Sequence, residues 1–591
     1  MGLYRQLVDS SRSICGLDRF RWALRYATLE PGTGSQPISC RLTESSLGVS
    51  KGTYEALSYA WGDAANQVNI QLNGQSFPVT RNLATALSCL RHPKKKRALW
   101  IDSICINQDD AAEAALQVRR MWAIYRYSSR VAVFLGDAGP GTKKAFKLVK
   151  NLARNVRHGD YPRITAMLAD EGLRESWGAL QELMARPWWN RAWVVQEYAV
   201  ATDVVFLCGK LKMPGETFSK ALDILSDYKW NAPIPPGREY FVRHVIPTPI
   251  SHLSKTRTEY QESGPERRTV DPVNVLYRFR ARESSDPRDK VYSLFHLMGD
   301  NVMLKPDYGK SVQVQSLYKD VVRTSIESSK SLVALNHHNR TVPCGVPGLP
   351  TWCPDWTVPR GLGPRIPLWS NGYTAGGDGE PLVRFEGESL ILKGRVLDKV
   401  SWVTTFEPTT FKNRGILLDV IKTAEARYLR ERLEANMTNR SELLDAFRRT
   451  IVASRIREKG PRKEFTVLGL SDADEFWEAW LEVIEDESSG ALQVKAKIYG
   501  DALYTALVGR SFFLTESGRL GLADNPVQPG CILGVFPGSR VLLCLQEKES
   551  DAPERTCELS SFDTDNNSYL HGFMDGEAMD TDDLLEEICL I

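Results

Sequence analysis

Four short apolar runs, separated by segments with helical periodicity, dominate the first third of the chain. The runs cover residues 54–61, 98–106, 131–135 and 203–208, and each is followed by a glycine or a polar residue. Between them, residues 113–127 place apolar side chains at i, i+3, i+4 and i+7, the period of an amphipathic helix. Such alternation predicts an α/β fold with a parallel β-sheet flanked by helices on both faces.

A shorter pattern inside this region predicts a β-hairpin. Residues 68–80 alternate between apolar and polar side chains around the dipeptide Asn73-Gly74. Asn-Gly between two alternating segments is the strongest short-range signal for a two-residue hairpin turn.

The remainder of the chain divides by pattern and composition. Residues 1–53 form an N-terminal segment, and the α/β domain is predicted to span residues 54–210. Residues 211–270 are rich in proline and polar side chains, which predicts an insert or linker. Three further regions are expected: a mixed helical and loop middle region (271–400), a charged helical region (401–500) and a small β-rich C-terminal module with an acidic tail (501–591).

Composition and charge narrow the class of protein. Of 591 residues, 42% are apolar and 25% are charged, as in folded globular proteins. The formal net charge is only +2, so we expect no nucleic-acid partner. The sequence has no run of 18 apolar residues and begins without the apolar core of a signal peptide, so we expect no membrane span.

Cysteine and histidine usage bears on metal binding and location. The 11 cysteines are an odd number without a C-x-x-C pair, and the eight histidines are scattered. We therefore expect reduced thiols, a cytoplasmic location and no metal site.

Four blocks within the predicted α/β domain resemble the fungal heterokaryon-incompatibility (HET) domain. They are ALSYAWGD (56–63), LWIDSICINQDD (99–110), QVRRMWAIYRYSSRVAVFLG (117–136) and RPWWNRAWVVQE (186–197). Further segments resemble sequences that recur in full-length HET-domain proteins: SSDPRDKVYSLFHL (284–297), PDYGKSV (306–312), LPTWCPDW (349–356), GRSFFLTESGRLGL (509–522) and YLHGFMDGE (569–577). The chain departs from the usual pattern at Ser103 and Cys105. The resemblance implies that residues 54–210 are a HET domain.

The resemblance implies a role in fungal non-self recognition, in which such proteins trigger programmed cell death after incompatible cells fuse. It implies a protein partner, an allelic or non-allelic incompatibility factor, and self-association is a further expectation. HET domains are also thought to be distantly similar to TIR domains, which share the flavodoxin-like arrangement of a parallel sheet and helices. By that analogy, the domain would be an NAD⁺ hydrolase that acts as the death effector, with NAD⁺ as substrate and no cofactor. A third alternative is a signalling or regulatory protein without an incompatibility role.

Glu197 is the candidate catalytic residue under the enzyme hypothesis. Trp193 and Glu197 are four residues apart and share one helix face. In TIR domains, a Trp followed by a Glu on a helix marks the catalytic carboxylate. By analogy, Glu197 would stabilise the oxocarbenium-like charge as nicotinamide leaves the ribose. The alternative is an ion pair, with Arg191 or another basic residue, that holds the domain together.

Trp61, Gly62, Asp63, Asp102 and Trp193 are the candidate ligand-binding residues. Asp102 follows a buried strand, where doubly wound sheets place ligands, and its carboxylate could contact a ribose hydroxyl. Alternatively, Asp102 caps the turn or helix that follows. Trp61 could stack on a base while Gly62 permits close approach of the ligand, or both belong to an aromatic core and an ordinary turn. Trp193 could likewise line an aromatic pocket or fill a core.

Overall fold

The chain divides into two compact units, Met1–Gln313 and Val314–Ile591. The computed structural model describes residues 4, 7, 21–231, 248–263, 271–298, 306–309, 312–337, 345–358, 372–435, 439–457, 465–467, 472–485, 493–524, 527–549, 555–559, 567–579 and 585–591.

The first unit is built on a nine-stranded β-sheet. Its strands are β1 (Ala23–Leu29), β2 (Ser39–Ser46), β3 (Glu55–Tyr59), β4 (Gln67–Leu72), β5 (Gln75–Thr80), β6 (Arg97–Trp100), β7 (Val131–Phe134), β8 (Val204–Cys208) and β9 (Leu211–Pro214). They lie side by side in the order β5-β4-β2-β1-β6-β3-β7-β8-β9. The neighbouring strands β6, β3, β7 and β8 are parallel and coincide with the four apolar runs of the sequence. The α/β class is therefore confirmed.

The sheet as a whole is mixed, which corrects the prediction of a parallel sheet. Strand β1 pairs antiparallel with both β2 and β6, β4 with β5, and β8 with β9. Continuous apolar runs mark strands that are buried on both faces, as parallel strands are. Strands β2 and β4 carry polar and exposed positions, so the same pattern did not reveal them.

The hairpin around Asn73-Gly74 is confirmed. Strand β4 pairs with β5 in register from Gln67–Thr80 to Leu72–Gln75. Asn73 and Gly74 have φ values of 54° and 79°, the left-handed conformation that a type I′ turn requires at both central positions.

Helices connect the strands of the first unit. The helices up to residue 231 are α1 (Leu47–Ser50), α2 (Arg81–Leu90), α3 (Asp102–Cys105), α4 (Ala111–Tyr127), α5 (Thr142–Asn155), α6 (Tyr161–Ala169), α7 (Arg174–Met184), α8 (Val194–Ala199) and α9 (Gly215–Asn231). Three more follow at Thr248–Ser263, Pro272–Phe279 and Asp289–Tyr292, and single 3₁₀ turns lie at Glu171–Leu173, Pro187–Asn190 and Phe295–Leu297.

Residues 211–270, predicted to be an insert or linker, contain regular structure in their described part. They form the edge strand β9, helix α9 and the helix Thr248–Ser263. Helix α9 buries Phe218 and Leu222 on one face, and Thr248–Ser263 holds Leu253 and Tyr260. The Pro-rich stretch 234–237 lies outside the described residues.

The second unit contains a larger β-sheet than the predicted C-terminal module. The strands of this sheet are β10 (Val383–Glu386), β11 (Ser389–Phe406), β14 (Arg510–Thr515), β15 (Leu520–Asp524), β16 (Ile532–Val535), β17 (Leu543–Glu547), β18 (Arg555–Leu559), β19 (Ser568–Leu570) and β20 (Glu586–Leu590). Strands β12 (Arg455–Arg457) and β13 (Phe465–Val467) form a separate two-stranded sheet. The 18-residue strand β11 pairs with β10, β14, β16 and β20. The central strand of this sheet therefore comes from residues 389–406, outside the predicted module of residues 501–591.

The helices of the second unit match the expected helical regions. They span Val314–Ser329, Val333–Asn336, Arg414–Glu434, Arg440–Thr450, Asp472–Glu485 and Gln493–Leu507, with a 3₁₀ turn at Thr410–Lys412. Side chains of the last four α-helices pack with the C-terminal strands in one hydrophobic core.

Among the residues that the structure describes, every helix is too short or too polar to cross a bilayer.

Candidate functional site

The four parallel strands of the first unit define where a ligand site is expected. Along the chain these four strands come in the order β3, β6, β7, β8. Side by side in the sheet they lie in the order β6, β3, β7, β8. The order therefore reverses between β3 and β7. Ligands of open α/β sheets bind outside the carboxyl ends of the strands at such a reversal.

A polar crevice lies at these carboxyl ends. Strand β3 ends at Tyr59 and β7 ends at Phe134, so the loops that begin at residues 60 and 135 border the reversal. The crevice has a volume of about 260 Å³, and we call it the switch-point crevice. It is lined by Gly62, Asp63, Asn66, Arg81, Asn82, Thr85 and Asp137.

The local sequence shapes the crevice. Gly62 has φ of 81°, a conformation that L-residues rarely adopt, and a Cβ there would lie 3.3 Å from the Cβ of Asn82. Helix α2 begins at Arg81, and the Thr80 hydroxyl caps it by accepting from the Leu83 N–H. The Nε of Arg81 donates to Asn66 Oδ1 at 3.0 Å, which joins the helix start to the loop after β3.

Trp61 lies beside the crevice and is fixed by Asp102. The indole Nε1 donates to Asp102 Oδ2 at 2.7 Å, while the ring remains 41% exposed. Asp102 Oδ1 accepts from the Ser103 N–H at 2.7 Å at the start of α3. Burial raises the pKa of the Asp102 carboxyl, and the Arg191 charge opposes that rise. Asp102 therefore bonds the following backbone and positions Trp61.

Glu197 belongs to a buried cluster beneath these loops. Its side chain is 1% exposed and accepts a hydrogen bond from the Ser58 hydroxyl of β3. That hydroxyl in turn accepts from Trp188 Nε1 at 2.8 Å. Burial raises the pKa of Glu197 to about 7, with Arg191 and Ser58 lowering it and the Asp102 charge raising it further.

Arg191 supplies the positive charge that Asp102 and Glu197 share. It acts electrostatically on both carboxylates, and its guanidinium donates to the backbone carbonyl of Tyr59. We call Ser58, Asp102, Arg191 and Glu197 the carboxylate cluster. Two carboxylates against one guanidinium leave one negative charge uncompensated, so the cluster favours retention of a proton near neutral pH.

A later segment of the chain is attached to this cluster through the backbone. The Ala192 N–H donates to the Glu283 carbonyl at 2.9 Å, and the Glu283 N–H donates to the Asn190 carbonyl at 2.6 Å. The Trp193 side chain hydrogen-bonds the Asp289 carboxyl, which also accepts from the Tyr308 hydroxyl at 2.6 Å. Trp193 thus contacts the 284–297 segment and does not line the switch-point crevice.

The structure sorts the residues named from sequence into three places. Gly62 and Asp63 line the crevice, and the exposed Trp61 borders it. Asp102 and Glu197 lie in the carboxylate cluster, outside the lining of the crevice, and Trp193 lies with Asp289.

Five crevice residues were absent from the sequence-based set: Asn66, Arg81, Asn82, Thr85 and Asp137. Asp137 follows β7 directly after Gly136, so its position after a predicted strand was an available signal. Asn66 comes from the loop between β3 and β4, and Arg81, Asn82 and Thr85 come from α2, which only the tertiary structure brings to this edge.

A buried ion pair at the far end of α3 from Asp102 was not predicted from the sequence. Arg25 of β1 is 1% exposed and bonds Glu113 of α4, with Nη1 to Oε1 at 2.5 Å and Nη2 to Oε2 at 3.1 Å. The Asn107 N–H donates to the same Glu113 carboxylate at 2.8 Å. The pair joins β1 to the helix that follows β6.

In the described part of the chain, His, Cys, Asp and Glu side chains form no group of three or more that could hold a metal ion.

The comparisons with known proteins identify the family. Residues 54–197 match the family model described as heterokaryon incompatibility protein (HET). The match begins just before β3 and ends within α8, at Glu197. The chain therefore contains a HET domain, as the sequence blocks predicted.

One curated relative is similar over nearly the whole length. It is heterokaryon incompatibility protein 6, OR allele, of Neurospora crassa, which is 23% identical over an alignment that covers 90% of this chain and 90% of the relative. No solved structure matches the chain significantly.

Proposed function

We propose that this protein acts in heterokaryon incompatibility, recognising non-self after cell fusion and triggering programmed cell death. The observation that carries the proposal is the similarity to the Neurospora incompatibility protein over 90% of both chains. That similarity extends far beyond the HET domain, so the regions that follow the domain are part of the comparison.

The geometry around Glu197 favours a signalling role for the HET domain over catalysis by this residue. Glu197 is buried, bonded to Ser58 and close to Arg191, and it is not part of the crevice lining. A catalytic carboxylate must reach the reacting bond, which requires an open site beside it. The ion-pair alternative for Glu197 therefore has the stronger support.

The proposed partner is a protein, an allelic or non-allelic incompatibility factor, and we propose that assembly, including self-association, transmits the signal. Support comes from the relative, whose name describes one allele of a heterokaryon incompatibility protein. The proposed location is the cytoplasm, where fused cells mix their contents.

The test is expression of the full chain in a filamentous fungus, followed by fusion with strains that carry different alleles of candidate partners. We expect death, scored with a vital dye, in some pairings and not in self-pairings. Absence of death in every pairing, at verified protein levels, would contradict the incompatibility role and favour the regulatory alternative.

A second candidate is the NAD⁺ hydrolase, which the polar crevice beside Gly62 and Asp63 favours. In this reading, NAD⁺ depletion is the cause of death. The chain expressed as wild type and as Glu197→Gln separates the two functions, because Gln keeps the shape of the side chain and removes its charge.

Intracellular NAD⁺ is measured in the same cultures. Signalling without catalysis predicts death at constant NAD⁺ in the wild type. Catalysis by Glu197 predicts NAD⁺ loss in the wild type, with neither NAD⁺ loss nor death in Glu197→Gln.

A further inference from the structure

We propose that the switch-point crevice binds a nucleotide, with the ribose phosphate inside the crevice and the base against Trp61. This goes beyond the proposed incompatibility role. It assigns a ligand to the same crevice that the NAD⁺ hydrolase candidate would use, through residues other than Glu197, and it holds whether or not the chain hydrolyses NAD⁺. The sheet topology supplies the first argument, because the crevice lies where the order of the parallel strands reverses.

The start of α2 provides the place for the phosphate. Arg81 is the first residue of this ten-residue helix, and its side chain lines the crevice. Among the described residues, its hydrogen bonding uses Nε toward Asn66, so both Nη groups remain available for an anion. Arg donors and the N-terminal end of a helix both favour negative charge.

Two carboxylates in the lining suit the hydroxyls of a ribose. Asp63 and Asp137 are exposed carboxylates that follow β3 and β7, and both line the crevice. One Asp63 oxygen, Oδ1, accepts from the Ala65 N–H at 2.9 Å, which orients the side chain. Carboxylate oxygens are acceptors for vicinal hydroxyls, and a lining that combines such acceptors with a cation matches a sugar that carries one phosphate.

Trp61 provides the surface for the base. Among the Phe, Tyr and Trp side chains that the structure describes, it is the one in the exposed class. Its hydrogen bond to Asp102 holds the ring in place before any ligand binds. Aromatic rings bind nucleobases by stacking, whichever base is present, so the structure assigns a nucleotide without assigning its base.

The size of the crevice agrees with a ribose phosphate inside it and a base outside it. A volume of about 260 Å³ is at the small end for a ligand site, and the lining is mostly polar. The crevice therefore suits the ribose phosphate, while the base lies outside on the exposed ring.

The experiment is isothermal titration of the purified full chain with AMP, ribose 5-phosphate, adenosine and inorganic phosphate. We expect AMP to bind most tightly, with ribose 5-phosphate about tenfold weaker because it lacks the stacked base. Binding of ribose 5-phosphate as tight as AMP would overturn the assignment of Trp61. Because the measurement needs no cell death, its outcome is independent of the incompatibility role.

Variants test the residues. Arg81→Gln is expected to weaken AMP binding about tenfold or more, whereas the matched surface variant Arg174→Gln leaves it unchanged. Trp61→Ala is expected to remove the difference between AMP and ribose 5-phosphate, and Trp61→Phe to retain much of it. Circular dichroism confirms that each variant is folded. Absence of AMP binding to the wild type, or equal binding by Arg81→Gln, would overturn the proposal.

Discussion

At the scale of single residues, tryptophans of similar sequence context have opposite roles. Trp188 and Trp189 are fully buried and pack against Phe206, with ring centroids 5.7 and 5.6 Å away. Trp61 is exposed and held by Asp102. All three tryptophans lie in HET-like blocks of the sequence. The sequence left open whether Trp61 belongs to a core or faces a ligand. Burial, which depends on distant chain segments, separates them.

Glu197 provides the first prediction at this scale. Its pKa in the folded protein is about 7, above that of an unfolded glutamate, so the folded state holds the proton more strongly. Its contribution to stability is present below the unfolded pKa and is lost as the pH rises through about 7. Glu197→Gln does not titrate, so its free energy of unfolding relative to the wild type should rise by about 3 kcal/mol between pH 4.5 and 8.

Urea unfolding of both proteins across this pH range measures the difference. A constant difference between variant and wild type would show that the buried carboxyl does not retain its proton, and the account of the carboxylate cluster would be wrong.

At the scale of elements, the Arg25–Glu113 pair fixes β1 against α4. We predict that Arg25→Met destabilises the first unit by about 3–5 kcal/mol, because the buried Glu113 carboxylate loses its charged partner. The exposed pair Arg174–Glu171 is the control, since Arg174→Met breaks an ion pair in solvent and should change stability little.

The double variant Arg25→Met, Glu113→Gln should recover part of the lost stability, because Gln is neutral and can still accept from the Asn107 N–H. Denaturant midpoints of the four proteins provide the comparison. If Arg25→Met matches the surface control, the buried pair does not hold these elements together.

Helix termination in the second unit offers a stabilising change. Lys330 follows the helix Val314–Ser329 with φ of 52°, and its N–H donates to the Ile326 carbonyl at 3.0 Å. A left-handed residue after a helix is favourable for glycine and unfavourable for lysine. We predict that Lys330→Gly stabilises the second unit by about 1 kcal/mol.

Lys330→Ala is the matched control, because it also removes the exposed contact with Glu380 but keeps the unfavourable conformation. Thermal unfolding should place Lys330→Gly above both the wild type and Lys330→Ala. Equal midpoints for the two variants would show that the backbone conformation is not strained.

At the scale of the whole molecule, three histidines make the fold sensitive to acid. Burial lowers the pKa of His252, His296 and His571 to about 4 in each case. Between about pH 6.5 and 4, the unfolded chain binds protons at these positions that the folded chain does not. The three neutral histidines therefore stabilise the folded protein fully above about pH 6.5, and this stabilisation is lost as the pH falls toward about 4.

Glu197 acts in the opposite direction over the same range, as do Asp102, Asp223 and Asp289, whose pKa values burial also raises. The ordinary pKa of an aspartate lies near 4, below this range, whereas that of histidine lies inside it, so the three histidines dominate. We therefore predict that the unfolding temperature falls from pH 7 to pH 5, and that it falls more steeply in Glu197→Gln. Differential scanning calorimetry at several pH values tests this. A higher unfolding temperature at pH 5 than at pH 7 would contradict the prediction.

How much of the fold can be predicted from the sequence depends on whether the interactions lie within one segment or join distant segments. The four central strands, the Asn73-Gly74 hairpin and several helices follow from local periodicity, since each signal lies within one segment. Strands β1 and β2 were not predicted, because β2 carries exposed polar positions and β1 is brought beside the distant strand β6 only in the folded chain.

The sequence by itself determined the α/β class, the HET family and the positions of Gly62 and Asp63 at a strand end. Only the tertiary structure decided that Glu197 is buried beside Arg191, that Asp102 holds Trp61, and that Arg81 and Asp137 reach the same crevice. The physical reason is that a side chain's exposure, charge state and neighbours depend on packing between distant segments, which periodicity within one segment does not encode.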